Sequence, residues 1–185
     1  MNFTVTPWDM NQLMKFAKHY IASDTVRPSF SLIQCEVNNT RIKAYCMGRC
    51  RICEVTLPVE EFEGKAGICF LPPLPKRFLL KDGNINVRTG ENEVTYQNEV
   101  FSKTFKVEQA QEIFPVKETF SARGIGETSS GKIHFQPKQL LEALQPFANR
   151  KEPICIDFVE EGFLITQIDG DCSYKALALG VKISK

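Results

Sequence analysis

The stretch Arg41-Ile-Lys-Ala-Tyr-Cys-Met-Gly-Arg-Cys-Arg-Ile-Cys-Glu-Val-Thr-Leu-Pro58 decides the fold. Two runs rich in β-branched and aromatic residues, Arg41–Cys46 and Arg51–Leu57, flank a short centre and stop at a proline, the pattern of a β-hairpin. Upstream, Ser29–Val37 is another strand candidate, set off by the turn residues Asn38-Asn39-Thr40. A helix from Pro7 to about Ala22 comes before it. Thr6 is placed to cap that helix, Pro7 suits its first position and Asp9 sits where a capping acid belongs. Met10, Leu13, Met14, Ala17, Tyr20 and Ile21 form its apolar stripe, and Asn11, Gln12, Lys15, Lys18 and His19 occupy the rest. A helix followed by a strand meander predicts an antiparallel sheet with the helix on one face.

The same order returns downstream. A loop rich in Glu60, Glu61, Glu63 and Gly64 leads to a strand at Gly67–Leu71. Pro72, Pro73 and Pro75 then leave room for one short helix at most. Asn84–Arg88, Glu93–Gln97 and Val100–Val107 alternate as strands. Segment 108–131, with Phe114-Pro115 and a Gly/Ser stretch from Gly124 to Gly131, is expected to be a connector. Lys132–Phe135 then reads as a strand, and Pro137 to about Phe147 as a helix with Gln136 as cap and Leu140, Leu141, Leu144 and Phe147 as its stripe. Ile154–Val159, Phe163–Ile168 and Tyr174–Ile183 complete the chain as strands. Strand, helix and three strands thus recur over 1–60, 65–107 (with a degenerate helix) and 132–184. The expected class is α+β, with curved antiparallel sheets carrying helices on one face.

Composition agrees with a folded domain. Of 185 residues, 43% are apolar and 24% charged, outside the range of disordered chains. The 23 Lys and Arg against 22 Asp and Glu leave a net charge of +1, which marks neither a strongly basic nucleic-acid binder nor an acidic tail. No basic segment precedes an apolar run at the N-terminus, and no run approaches ~18 apolar residues, so a cytoplasmic location is expected. Seven cysteines, an odd number, fit reduced thiols.

Cys46-x-x-x-Cys50-x-x-Cys53 has the spacing of the radical S-adenosylmethionine cluster motif, in which three thiolates hold a [4Fe–4S] cluster. The flanking residues, however, form antiparallel hairpin strands rather than the parallel barrel that carries such a motif. Ile52 stands where an aromatic usually precedes the last cysteine, and no glycine-rich S-adenosylmethionine motif follows. In a continuous strand Cys50 and Cys53 also point to opposite faces. His19 and His134 have no acid-and-nucleophile partners in pattern. Asp169-Gly-Asp171 lacks the further ligands of a calcium loop and reads as a turn. There is no phosphate-binding glycine loop. No catalytic residue, metal or cofactor is assigned, and the chain is not expected to be an enzyme; the radical enzyme is the alternative.

Three passages resemble the bacterial DNA polymerase III beta subunit, the sliding clamp: Arg41–Pro58, Gly67–Pro115 with Phe101-Ser-Lys-Thr-Phe105, and Lys132–Lys185 with its closing Ala176-Leu-Ala-Leu-Gly-Val-Lys-Ile183. The first two resemble the clamp's middle domain and the third the last half-domain, which implies a clamp-like domain over 1–118 and a partial one over 119–185. Gly48, Arg49 and Cys50 stand where the family has Asp, Gly and His. The resemblance implies a DNA polymerase processivity-factor-like scaffold with two surfaces. One is a groove for a short apolar peptide of a polymerase or other replication protein, with Arg51, Ile52, Gln136, Gln139, Leu179, Val181, Lys182 and Ile183 at matched positions. The other is a basic helical face toward duplex DNA, read without sequence preference, with Lys15, Lys18, Lys76, Arg77, Lys138, Arg150 and Lys151 as candidates. A homo-oligomer that encircles DNA and a non-encircling relative that only recruits partners both remain open.

Overall fold

The computed structural model of the chain describes residues 1–21, 28–48, 51–75, 83–107, 136–159 and 162–180. The first unit contains β1 (Asn2–Val5), α1 (Pro7–Tyr20), β2 (Ile33–Val37), β3 (Arg41–Met47) and β4 (Arg51–Pro58). After β5 (Glu61–Glu63), the second unit contributes β6 (Gly67–Leu71), β7 (Ile85–Thr89), β8 (Glu93–Gln97) and β9 (Ser102–Lys106). The third contributes α2 (Pro137–Leu144), β10 (Cys155–Val159), β11 (Gly162–Asp169) and β12 (Cys172–Leu179). The strand expected at 132–135, the short helix after Pro75, the connector and residues 181–185 lie outside the described residues.

These strands form two sheets, ordered β5-β1-β7-β8-β9 and β10-β11-β12-β4-β3-β2-β6. Every adjacent pair is antiparallel. The first two units exchange their lead strands: β1 pairs with β7 of the second unit, and β6 pairs with β2 of the first. The third unit joins differently. Its last strand, β12, lies against the last strand of the first unit, β4, with Leu177 opposite Ile52 and Ala178 opposite Arg51.

Local chemistry accounts for the elements. Thr6 Oγ1 accepts from the Asp9 backbone N–H at 3.1 Å and donates to Asp9 Oδ2 at 2.6 Å, closing the N-terminus of α1. Asn38 Oδ1 accepts the backbone N–H groups of Thr40 and Arg41 at 3.0 Å each, which shapes the β2–β3 turn. Gly170 takes a left-handed φ of 58° between β11 and β12, where a side chain would be strained.

Several boundaries differ from the expected ones. Residues Pro28–Ser31 form a 3-10 turn, so β2 starts at Ile33 rather than Ser29. The acidic stretch expected as a loop contains β5, because the free edge of β1 offers it a ladder while alternate glutamates remain in water. The second helix is α-helical to Leu144 and tightens into a 3-10 turn over Gln145–Phe147, where Pro146 cannot supply an N–H. Gln136 flanks that helix without a side-chain cap bond.

The main core lies between the helices and the sheet faces turned toward them. From α1 it takes Met10, Leu13, Met14, Phe16, Ala17 and Tyr20. Phe16 stacks on Tyr174 of β12 at 5.1 Å between ring centroids and meets Phe147 edge-on at 5.1 Å. Gln12, on the helix's expected polar side, and the capping acid Asp9 are also buried, because Arg150 and Cys172 of the third unit pack on them.

Candidate partner-docking seam and helix face

The β4–β12 seam has two faces, and the period-two alternation of strands sorts side chains between them. Cys53, Val55, Ala176 and Ala178 point to the helices. Ile52 and Leu177 point the other way, where they form a second apolar cluster with Tyr45 and Val159. Met47, Leu164 and Leu179 are half-buried around it, a rim over an apolar floor. Glu54 and Lys175, paired at 3.3 Å, flank the cluster. The Tyr45 hydroxyl is buried and has no hydrogen-bond partner among the described residues. Burial, then the nearby Glu54 carboxylate, raises its pKa, so it stays a neutral hydroxyl able to donate. An apolar slot with a fixed polar atom is what a short peptide's side chains and backbone require.

The expected groove residues divide between the two faces. Ile52 and Leu179 come together on the outer cluster. Arg51, adjacent to Ile52 in sequence, points instead to the helices, where its Nη1 meets Glu142 of α2 at 2.9 Å and its guanidinium lies 5.8 Å from the Tyr20 ring centroid. Gln136 is exposed before α2, and Gln139 lies on α2, on the helical side. Val181, Lys182 and Ile183 lie outside the described residues. Tyr45, Met47, Val159 and Leu164 belong to this cluster without having been singled out; the outward parity of Tyr45 and Met47 within β3 was the available signal.

On the helical side, Lys15 and Lys18 of α1 and Lys138 of α2 are exposed, and Lys151 is exposed beyond α2. Lys138 lies 4.0 Å from Glu142. Arg150 is different. Its side chain is only 7% exposed, its Nη2 donates to Gln12 Oε1 at 2.9 Å, Asp169 lies 3.6 Å away, and the guanidinium stacks 3.6 Å from the Tyr174 ring centroid. It pins the third unit to α1 and presents no free cation. Lys76 and Arg77 lie outside the described residues. His19 is held below its ordinary pKa by burial, then by Lys18 and Arg51, with Glu142 opposing, so it adds no firm charge to this face.

Cys46 and Cys53 are directly opposed on β3 and β4 and buried beneath α1, and Cys50 lies outside the described residues. Burial, then the adjacent Cys46, raises the Cys53 pKa, the reverse of what a thiolate ligand needs. Among the described residues no group of three or more His, Cys, Asp or Glu side chains is placed to hold a metal. The radical S-adenosylmethionine alternative has no support: two of its thiols, those of Cys46 and Cys53, sit in a packed antiparallel core, not in a loop of a parallel barrel.

Repeated three-strand meanders, two of them with a described helix, paired by exchange of lead strands and joined through the last strands β4 and β12, define the fold of sliding clamps. The chain resembles bacterial DNA polymerase III beta subunits across nearly its whole length. It superposes on a Pseudomonas aeruginosa sliding clamp bound to griselimycin with a TM-score of 0.73 at 14% identity, covering 99% of this chain and 66% of that one. For the Bacillus subtilis clamp the TM-score is 0.71 at 13% identity, covering 100% and 65%. For the Thermotoga maritima beta subunit it is 0.69 at 10% identity, covering 99% and 65%. The chain therefore spans about two thirds of the length of the solved clamps it matches. No protein-family model and no curated protein sequence matches the chain. No described helix is long and apolar enough to cross a membrane.

Proposed function

We propose that the protein is a non-enzymatic, processivity-factor-like scaffold of DNA replication that captures a short apolar peptide of a polymerase or other replication protein. The peptide's apolar side chains enter between Met47, Leu164 and Leu179, over the floor made by Ile52 and Leu177, and a backbone carbonyl accepts from the Tyr45 hydroxyl. The observation that carries this reading is the outer apolar cluster at the β4–β12 seam, with a buried hydroxyl that has no partner among the described residues, in a chain that superposes on sliding clamps over its length. Residues 1–118 act as a two-unit domain and 119–185 as a half-domain that completes the groove. Lys15, Lys18 and Lys138 give α1 and α2 a weak, sequence-independent affinity for duplex phosphates.

The test is fluorescence polarisation of a labelled peptide carrying the apolar docking motif of a bacterial replicative polymerase. Leu179→Glu and Met47→Glu are expected to weaken binding by about tenfold or more, because each puts a charge on an apolar rim. Lys15→Glu with Lys18→Glu should leave peptide affinity intact while lowering duplex affinity and the steepness of its salt dependence. No saturable binding of such peptides by the wild type, or binding indifferent to both rim substitutions, would refute the reading.

A further inference from the structure

The cysteine spacing that no cofactor explains has a geometric counterpart in the seven-stranded sheet. Cys46 and Cys53 face each other across β3 and β4, and Cys35 and Cys69 face each other across β2 and β6. All four are buried in the main core. Opposed residues of an antiparallel ladder have Cα atoms ~4.5–5.5 Å apart, inside the ~4.4–6.8 Å that a disulfide spans, so either pair can close without moving the backbone. In each pair the thiols are within hydrogen-bonding reach of one another. Cys155 and Cys172 are placed otherwise, opposite Thr166 and Asp169.

The two pairs differ in what holds them. Cys46 and Cys53 lie on inner strands: β3 is flanked by β2 and β4, and β4 by β3 and β12. Parting them breaks ladders on two sides. In contrast, β6 is an end strand of five residues, bonded among the described strands to β2 alone. Its first two residues, Gly67 and Ile68, are exposed, as are Lys65 and Ala66 before them. Cys69 follows directly and is 3% exposed, whereas Cys35, Cys46 and Cys53 are at 0%. Local opening costs least at such an edge, so Cys69 is the thiol an oxidant reaches first. Burial, then Cys69 itself, raises the Cys35 pKa and keeps that thiol protonated, so the first attack falls to Cys69.

We propose that Cys35 and Cys69 are an oxidisable pair that a peroxide converts to a disulfide, stapling the strand lent by the second unit to the first unit's sheet. The Cys69 thiolate attacks one peroxide oxygen, the O–O bond breaks, and the departing oxygen leaves as water with the proton that Cys69 shed. The Cys35 sulfur then attacks the sulfenic acid left on Cys69. The S–S bond forms as the S–O bond breaks, and a second water leaves with the Cys35 proton. Two thiols thus lose two electrons, and one peroxide is reduced to two waters. The bond joins positions far apart in the chain, so it takes freedom from the unfolded state and stabilises the fold. This inference rests on ladder register and burial and not on the docking reading, so either can fail alone.

The experiment treats the folded full chain with increasing hydrogen peroxide, then unfolds it, alkylates the remaining thiols and maps linkages by mass spectrometry of a non-reducing digest. The wild type is expected to gain Cys35–Cys69 as its first intrachain linkage, with Cys46 and Cys53 still recovered as alkylated thiols. Its Tm is expected to rise by roughly 5–15 °C and to return when dithiothreitol reduces the bond. Cys35→Ala is expected to lose both the linkage and the rise, whereas Cys46→Ala should keep both. The wild-type map decides the matter if either variant fails to fold. A chain whose Cys35 and Cys69 stay reduced at peroxide that fully oxidises the exposed Cys155 overturns the inference. So does a map in which another intrachain linkage forms first, or a Cys35–Cys69 bond that leaves Tm unchanged or lower.

Discussion

Replacing Arg150 with alanine separates a structural cation from a DNA-facing one. The side chain is buried, stacks at 3.6 Å on Tyr174, donates to Gln12 at 2.9 Å and lies 3.6 Å from Asp169. A desolvated cation–π contact contributes ~2 kcal/mol, and a charged hydrogen bond ~1.5–3 kcal/mol. The Asp169 pair adds little, because that carboxylate is half in water and can be rehydrated at low cost. The contacts share one guanidinium and do not simply add, so Arg150→Ala is expected to cost about 3 kcal/mol. For a chain of this size that corresponds to a fall in Tm of roughly 6–12 °C. Arg150→Lys should recover only part of it, because an ammonium cannot stack flat on the ring and reach Gln12 together. The assay is urea unfolding followed by tryptophan fluorescence and far-ultraviolet circular dichroism, alongside duplex binding at several salt concentrations. A loss below about 1 kcal/mol, accompanied by weaker DNA binding and a shallower salt slope, would refute the structural assignment and return Arg150 to the DNA face.

A Cβ at Gly162 would overlap the backbone carbonyl oxygen of Ala178, so Gly162→Ala should destabilise the chain by at least ~2 kcal/mol and fray the start of β11, read as faster amide exchange at β12; wild-type stability in that variant would contradict the packing. The buried acids also set a pH dependence. Burial, then Asp9, pushes the Cys172 thiol up to about 11, and burial likewise raises Cys35, Cys53, Tyr20 and Tyr96. Each keeps its proton in the folded state after the unfolded chain has lost it. Their contribution is therefore complete below the unfolded thiol value of 9.0 and declines as pH climbs toward the folded one. The urea midpoint should fall between about pH 9 and about pH 11, and Cys172→Ala should flatten that fall; a midpoint that does not move over this range would count against it.

The local elements were legible in the sequence. Thr6, Pro7 and Asp9 mark the start of α1 because capping is a short-range matter, and the repeating order of helix and meander was visible in the spacing of turn residues. Contacts between distant residues were not. Phe16 falls outside the apolar stripe drawn for α1, and Gln12 falls within its polar side, yet both are buried because the third unit packs there, more than a hundred residues along the chain. Arg150 resembled any surface cation; the ring beneath it, Tyr174, gives no sign in local pattern. The division of Arg51 from Ile52 could have been read directly, since neighbours in a strand face opposite ways. The exchange of β1 and β6 between units is a topological fact that no window of sequence contains.

That exchange also has a consequence for how the chain can be cut or recombined. Each of the first two units lends a strand to the other's sheet, so neither is a separable module, and a gene fragment encoding one alone would leave two ladders with missing rungs. The smallest inheritable piece at this end is the interlocked pair, whereas the third unit, fastened by β12 and helix contacts, can be swapped or lost with the pair's own ladders intact.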